Sequence, residues 1–266
     1  MPGPVQPSTP PGPVILGVIN VSPESPNRSS VATTPDDAVR LARRHLRNGA
    51  AIIDIGGRSS SHDAPVISDS EEQRRILPVV EALKREGFTV SIDTWSNETA
   101  LLAVGLGVDI VNFTAEHPSA ALCESIARAR ATLCLSYMPC GDPYGMREAP
   151  AHLPSIEEIA RYFEAHIPRP RPALLIIDPN IGMLHRDIRS NRPLAIAWRM
   201  RIIARIGGLA PLGAPVMVAL PRRDGEGATR MWTVAILSSG ARYIRTHHPA
   251  MVTGTAALLK ELDREA

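Results

Sequence analysis

The sequence is poor in lysine and has no long apolar run. Lysine occurs only at Lys84 and Lys260, so arginine carries nearly all the positive charge, and the formal net charge is +2. So small an excess of charge argues against a general nucleic-acid-binding protein. No apolar stretch approaches the roughly 18 residues of a membrane-spanning helix. We therefore expect neither nucleic acid nor a membrane as a partner.

Cysteine is also scarce, with only Cys123, Cys134 and Cys140. An odd number of cysteines without a repeated spacing excludes a disulfide framework and a cysteine-based zinc motif. A reduced, cytoplasmic location is the expectation. Residues 1–13 are rich in proline and glycine and lack the apolar core of a signal peptide, which predicts a flexible N-terminal arm. No linker interrupts residues 14–266, so they are predicted to form one domain.

Short apolar runs alternate with longer amphipathic stretches along this domain. The apolar runs are continuous, as in strands buried on both faces. They predict strands at 14–19, 51–55, 89–92, 109–111, 132–136, 174–177, 216–220 and 243–245. The amphipathic stretches predict helices at 35–48, 70–86, 97–106, 118–130, 155–165, 193–206, 228–239 and 250–263. Thr34 suits an N-cap, and Pro118 suits a first helical position.

Eight strand–helix pairs in strict alternation predict a parallel sheet covered by helices. In a chain of 266 residues, this number favours a closed (β/α)₈ barrel of the TIM type. The alternative is an open, doubly wound sheet of six or seven strands with one misassigned segment. Both folds belong to the α/β class.

Polar residues end almost every predicted strand. Active sites of such barrels lie where the strands end and the following loops begin. The residues in question are Asn20, Asp54, Asp93, Asn112, Asp178, Arg222, Arg223, Arg245 and His247. Helix capping could explain one or two of them. Seven strands with polar ends instead predict a functional site at a common mouth.

The segments around these residues form an ordered series of motifs, at 15–25, 49–59, 91–94, 111–112, 177–182, 215–223 and 244–247. This series resembles the dihydropteroate synthase family over roughly residues 14–250. The resemblance implies a pterin-binding TIM barrel that acts in folate biosynthesis. Members join 6-hydroxymethyl-dihydropterin diphosphate to p-aminobenzoate, with loss of diphosphate. It also implies a homodimer, since dimers are common in this family.

The resemblance assigns roles to individual residues. It implies that Asp93, Asp178 and Arg223 are catalytic, with Arg223 where the family usually has lysine. Asn112, Asp54, Met183 and Ala219 are expected to bind the pterin-like substrate, Asp54 either directly or from behind. Asn20, Arg245 and His247 correspond to the diphosphate positions, with Asn20 also at the Mg²⁺ position. The alternative for Asp93 and Asp178 is helix capping or an ion pair with Arg223.

The loops that hold the amine acceptor in the family differ here. The first loop, residues 24–30, lacks the aromatic residue that is usual in the family. Ser61 stands where the second loop usually has an anion-binding arginine. We expect Arg58, Ser60, Ser61 and His62 to form the altered acceptor loop, with Arg58 and His62 as partial replacements for the missing arginine. Met183 lies in the segment after the sixth strand, which lacks the aromatic and basic residues that are usual there in the family.

Three functions remain open from the sequence. The first is a divergent synthase-like transferase that forms a C–N or C–C bond at a cation-like carbon, for which use of p-aminobenzoate is doubtful. The second is a repurposed barrel that binds an iminium-type substrate and performs a Mannich-type cyclisation in specialised metabolism. The third is a non-catalytic pterin-binding paralogue. Mg²⁺ is expected only if the substrate is a diphosphate.

Overall fold

The computed structural model describes residues 12–25, 27–61, 63–221 and 225–265. The predicted N-terminal arm therefore lies outside the described residues, apart from Gly12 and Pro13. Eight strands run in parallel in the spatial order β6-β5-β4-β3-β2-β1-β8-β7. They are β1 (Val14–Asn20), β2 (Ile52–Gly56), β3 (Val90–Thr94), β4 (Ile110–Phe113), β5 (Thr132–Ser136), β6 (Leu175–Asp178), β7 (Met217–Ala219) and β8 (Tyr243–Thr246).

The two ends of this sheet meet and nearly close a barrel. β1 pairs with both β2 and β8, which joins the first and last strands. On the far side, β6 approaches β7 through a parallel bridge between Ile177 and Val216, and the Ile177 amide donates to the Pro215 carbonyl at 3.1 Å. The predicted (β/α)₈ barrel is confirmed. Strand ends differ from the predicted ones by no more than two residues.

Helices alternate with the strands around the outside of the barrel. They are α1 (Pro35–Arg47), α2 (Asp69–Arg85), α3 (Asn97–Gly105), α4 (Ala120–Ala129), α5 (Gly145–Glu148), α6 (Ile156–His166), α7 (Arg186–Ser190), α8 (Arg192–Ala204), α9 (Gly225–Ser238) and α10 (Pro249–Glu265), with 3₁₀ segments at Arg28–Ser30 and Ile206–Leu212. In the part of the chain that is described, none of these helices is long and apolar enough to cross a membrane.

Side-chain caps explain where several helices begin. The Thr34 side chain accepts a hydrogen bond from the Asp37 amide, as predicted for the start of α1. The prediction that Pro118 begins α4 was wrong. Ser119 is the N-cap, and its hydroxyl accepts the Leu122 amide at 3.2 Å, so the proline lies one residue before the cap. The sequence reading also missed the short helices α5 and α7.

The barrel interior changes from apolar to polar along the strands. A buried layer at the lower end consists of Leu16, Ile52, Ile110, Cys134, Ile176 and Met217. Side chains two residues apart on a strand share a face. The residues two positions later, which include Asp54, Asn112, Ser136 and Asp178, therefore point into the same interior nearer the mouth. A continuous apolar floor thus lies beneath a polar site.

Gly17 in β1 provides a test of how tightly α1 packs on the barrel. A Cβ atom at this position would lie 2.9 Å from Cβ of the buried His45 side chain. We expect G17A to lower the free energy of unfolding by about 1–3 kcal/mol, the usual cost of overpacking. Urea denaturation measures this change.

G105A is the matched control, because no atom lies within 4 Å of the Cβ position in this helical glycine. We expect it to be neutral or slightly stabilising, since alanine favours helix by up to about 1 kcal/mol over glycine. Equal unfolding free energies for G17A and wild type would contradict the described contact.

Candidate active site

Arg245 of β8 lies between two carboxylates at the centre of the barrel mouth. Its Nε donates to Asp54 Oδ2 and its Nη2 donates to Asp93 Oδ2, each at 2.6 Å. Burial opposes the charge on Arg245, but Asp54 and Asp93 together raise its pKa. Asp54 is fully buried and also accepts the Ser91 hydroxyl at 2.6 Å. These contacts fix the guanidinium plane in the cavity wall and place Asp54 behind it.

Asp178, at the end of β6, is a second buried carboxylate of the mouth. Burial raises its pKa to about 7, against a hydrogen bond from the Asn180 amide at 2.7 Å and the positive charge of Arg245. Asn180 has a φ of 54°, a conformation that asparagine tolerates better than most residues. Its Nδ2 also donates to the Tyr137 carbonyl at 3.0 Å. The turn therefore holds Asp178 at the cavity surface with a pKa of about 7.

A cavity of about 720 Å³ connects these groups. Its walls include the predicted residues Asn20, Arg58, Ser60, Ser61, Asp93, Asn112, Asp178, Met183, Ala219, Arg245 and His247. Within the described part of the chain, the buried Oδ1 of Asn112 has no hydrogen-bond partner. Buried acceptors are rarely left unsatisfied. A ligand N–H would supply the missing donor.

Ser30 links two further predicted residues on another wall of the cavity. Its hydroxyl lies 2.7 Å from His247 Nδ1, and it accepts a 3.4 Å hydrogen bond from Asn20 Nδ2. Asn20 and His247 come from β1 and from the end of β8. The first loop therefore contributes a bridge between them, and the sequence reading did not single out this serine.

Comparison with known proteins assigns the chain to a family. The family model described as pterin binding enzyme matches residues 16–247. The chain belongs to the pterin-binding enzymes. Dihydropteroate synthase type-2 of Escherichia coli is 30% identical over 271 residues, which cover 95% of this chain and 97% of that protein. The predicted resemblance to dihydropteroate synthase is confirmed.

Solved structures of pterin-binding enzymes share the fold. The Yersinia pestis dihydropteroate synthase with a sulfonamide drug gives a TM-score of 0.78 at 24% identity, covering 96% of this chain and 95% of that one. The Thermus thermophilus enzyme in complex with 4-aminobenzoate gives 0.76 at 24% identity, with 95% of each chain covered.

The oxygen atoms beside Gly56 fit a small hard cation. A Cβ atom on Gly56 would lie 3.7 Å from Asn20 Oδ1 and 4.0 Å from Asp93 Oδ2. Both oxygens therefore border the same space, and Asp93 Oδ2 already accepts a hydrogen bond from Arg245 Nη2 at 2.6 Å. Mg²⁺ prefers oxygen ligands and usually takes only one or two from the protein, with water and phosphate completing its shell. The donor set is thus compatible with Mg²⁺ bound beside a diphosphate.

Arg58 holds the second loop against α2. Its Nη2 lies 2.9 Å from Glu72 Oε2 and also pairs with Asp69, and its guanidinium lies 5.1 Å from the Trp95 ring centroid. Burial raises the pKa of Glu72, and Arg58 opposes this rise. Two carboxylates therefore neutralise the charge of Arg58, and these ion pairs hold the second loop in place.

The short helix α5 fastens the same loop from the other side. Arg147 donates to the Ala64 carbonyl at 3.2 Å and to the Ser59 carbonyl at 3.3 Å. Tyr144 packs edge-on against Trp95, with centroids 5.2 Å apart. These contacts join two loops that are distant in sequence, and no local pattern in the sequence announces them.

Three arginines that the sequence did not predict line the cavity. They are Arg189 of α7 and Arg192 and Arg199 of α8. Arg199 is buried, and its Nε donates to the Ile181 carbonyl at 3.0 Å. Residues seven apart share a helix face, so the spacing of Arg192 and Arg199 was a usable signal. Polar residues at strand ends alone do not reveal side chains that helices contribute to the cavity.

The structure thus brings together the described site residues, with one difference in placement. Asp54 does not line the cavity and instead supports Arg245 from behind, which is one of the two roles foreseen for it. Asp93 forms an ion pair with Arg245, whereas the alternative prediction named Arg223 as its partner. Arg223 and His62 lie outside the described residues. Ser136 of β5 and Thr114 also line the cavity, although neither was among the predicted residues.

Removal of the Arg245 charge should destabilise the barrel strongly. R245M leaves the fully buried Asp54 carboxylate without its cation, and breaking such a pair typically costs about 3–5 kcal/mol. The matched control is R40M, whose partner Asp37 forms a surface pair with an arginine side chain that is 73% exposed. We expect a change of at most about 1 kcal/mol there. Equal unfolding free energies of the two variants would contradict the central role of Arg245.

The raised pKa of Asp178 predicts a pH dependence of stability. Between about pH 4 and 7, the unfolded chain ionises this residue while the folded protein keeps the proton, so its contribution to stability falls as pH rises. D178N retains an acceptor for the Asn180 amide but does not titrate. We expect D178N to gain stability relative to wild type across this window, by at most about 1.4 kcal/mol per pH unit. Parallel stability profiles from urea denaturation would show that the pKa is not raised.

Proposed function

We propose that the chain is a transferase of the dihydropteroate synthase type. It binds a pterin diphosphate at the barrel mouth and joins the pterin methylene carbon to the nitrogen of an amine. The carbon–oxygen bond to diphosphate breaks with its electron pair on the leaving group. The amine lone pair then forms the new C–N bond, and the amine proton passes to solvent.

One observation carries this proposal: Asp93, Asn112 and Asp178, from three different strands, line one cavity. A pterin presents adjacent N–H and NH₂ donors on one edge, and a carboxylate can accept two such donors at once. The unpartnered Oδ1 of Asn112 offers a further acceptor. The wall residues therefore match the edge of a flat nitrogen-rich ring.

The opposite wall suits the leaving group. His247 and Asn20 meet there through Ser30, and Arg245 adds a fixed positive charge. Cationic and N–H groups that are already in place stabilise the charge that develops on a departing anion. When bound, Mg²⁺ would neutralise part of the diphosphate charge. Asn20 Oδ1 and Asp93 Oδ2 are the protein oxygens that would hold it.

The acceptor side has changed in character. Ser61 stands at the position where the family usually has an arginine on the second loop, and Arg189, Arg192 and Arg199 line the cavity from α7 and α8. Three guanidinium groups favour an anionic acceptor. We propose an aromatic amine that bears a carboxylate or another anionic group, which includes p-aminobenzoate and larger relatives.

A direct assay tests the transferase. Purified protein is incubated with 6-hydroxymethyl-7,8-dihydropterin diphosphate, Mg²⁺ and p-aminobenzoate, and both diphosphate release and the conjugate are measured. We expect both products in equal amounts. Pterin binding without any diphosphate release would favour a non-catalytic paralogue. Absence of both would overturn the proposed function.

Variants show whether the predicted wall holds the ring. We expect N112A and D178A to lower kcat/KM by roughly 5- to 100-fold each, since loss of one partner of a buried hydrogen bond costs about 1–3 kcal/mol. D36N in the exposed first turn of α1 is the control and should leave kcat/KM unchanged. Activity of N112A and D178A equal to that of D36N would place the pterin elsewhere.

The acceptor is tested separately. R192M should raise KM for p-aminobenzoate while leaving KM for the pterin diphosphate unchanged. A parallel rise of both KM values would mean that this arginine supports the cavity as a whole.

A further inference from the structure

A second group of ligand-type side chains lies outside the cavity. It consists of Glu116 and His117, in the loop between β4 and α4, and His166, the last residue of α6. Their ligand atoms all lie within 4.8 Å of one another. None of the three lines the cavity of the candidate active site. We call them the Glu116 cluster.

The hydrogen bonds of His166 determine which of its ring nitrogens faces Glu116 with a lone pair. His166 Nδ1 lies 2.7 Å from the backbone carbonyl of Tyr162. A carbonyl only accepts, so Nδ1 must carry the proton. In the neutral imidazole, Nε2 then carries the lone pair, and it lies 3.2 Å from Glu116 Oε1. Either a second proton on the ring or a bound cation can therefore join these two atoms.

Two of the three distances between ligand atoms suit a metal ion as that cation, and the third lies within 4.8 Å. Ligands at about 2.0–2.2 Å from a tetrahedral zinc ion lie about 3.3 Å apart. Glu116 Oε1 lies 3.2 Å from His166 Nε2 and 3.6 Å from His117 Nε2. Histidines that bind metals commonly donate their other N–H to a backbone carbonyl, as His166 does. Two imidazoles with one carboxylate form a typical zinc ligand set.

Aromatic packing holds the cluster in place from behind. The His166 ring stacks on Tyr162 at 4.0 Å between centroids. The His117 ring lies nearly parallel to it at 4.8 Å, so the exposed His117 side chain has to rotate before both Nε2 lone pairs point at one ion. The Glu116 amide donates to the Gly141 carbonyl at 2.7 Å. The β4–α4 loop, the loop after β5 and the end of α6 are therefore already close together before any ion binds.

We propose that Glu116, His117 and His166 bind a divalent transition-metal ion of the zinc class, with water as the fourth ligand. Such an ion links the β4–α4 loop to the end of α6. This loop also carries Thr114, whose hydroxyl donates to Asp93 Oδ1 at 3.2 Å. The expected role is structural stabilisation, and it is independent of the proposed transferase activity.

Zinc titration of the full chain tests the site. Metal-free protein is titrated with Zn²⁺ against a chromophoric chelator at pH 7.5, and the melting temperature is recorded with and without Zn²⁺. We expect one equivalent of bound zinc and a higher melting temperature. H166A and H117A should each weaken binding by roughly 100-fold or more, since even loss of an outer partner of a metal ligand costs about 10- to 100-fold.

The controls separate this site from others. His152 forms a similar surface pair with Glu158 at 3.3 Å but belongs to no group of three ligands among the described residues, so H152A should bind zinc as wild type does. C140S should also bind zinc unchanged. Because the His117 side chain is 68% exposed, H117A should fold normally and remains informative if H166A does not fold.

Three outcomes would overturn the proposal. Wild-type protein that binds no zinc would mean that a proton alone joins His166 to Glu116. Zinc binding that survives in both H117A and H166A would place the ion elsewhere. Loss of binding in C140S would indicate a thiolate site in place of the three-residue cluster.

Discussion

The mouth of the barrel depends on one buried cation held by two carboxylates. Arg245 on β8 reaches Asp54 on β2 and Asp93 on β3, both at 2.6 Å. Without the guanidinium, two acidic groups would repel each other in a region shielded from water. With it, Asp93 is fixed at the cavity wall, while burial raises the pKa of Asp178 to about 7 against the Asn180 amide and the charge of Arg245. The polar half of the barrel interior is organised around this cation.

The cavity combines a rigid half, formed by strand ends, and an altered half, whose loop sequences differ from those usual in the family. The rigid half is formed by strand ends, whose positions are set by the pairing register, such as Asp93 opposite Asn112 and Ser136 opposite Asp178. The altered half is formed by loops and by α7 and α8. Loops change more readily than paired strands because fewer buried contacts constrain them. The proposed pterin contacts therefore lie on the half formed by strand ends, and the proposed acceptor contacts lie on the half formed by loops and helices.

Strand positions and most of the site could be predicted from the sequence, because both follow from short-range patterns. Continuous apolar runs marked the strands, and polar residues at their ends marked the mouth. The contacts that hold the second loop could not be predicted. Two contacts hold this loop, the ion pair of Arg58 with Glu72 and the hydrogen bond of Arg147 to the Ser59 carbonyl. The distance in space between the segments that they join cannot be inferred from their separation in sequence. Phe113 follows Asn112 on β4 but points away from the site and is fully buried in the outer core.

A crystal structure with 6-hydroxymethylpterin bound would show whether the barrel mouth holds the ring. We expect the ring edge within hydrogen-bond distance of Asp93, Asn112 and Asp178, with the Arg245–Asp54 pair unbroken behind it. A ring bound elsewhere, or a mouth in which Arg245 leaves both carboxylates, would disprove this arrangement.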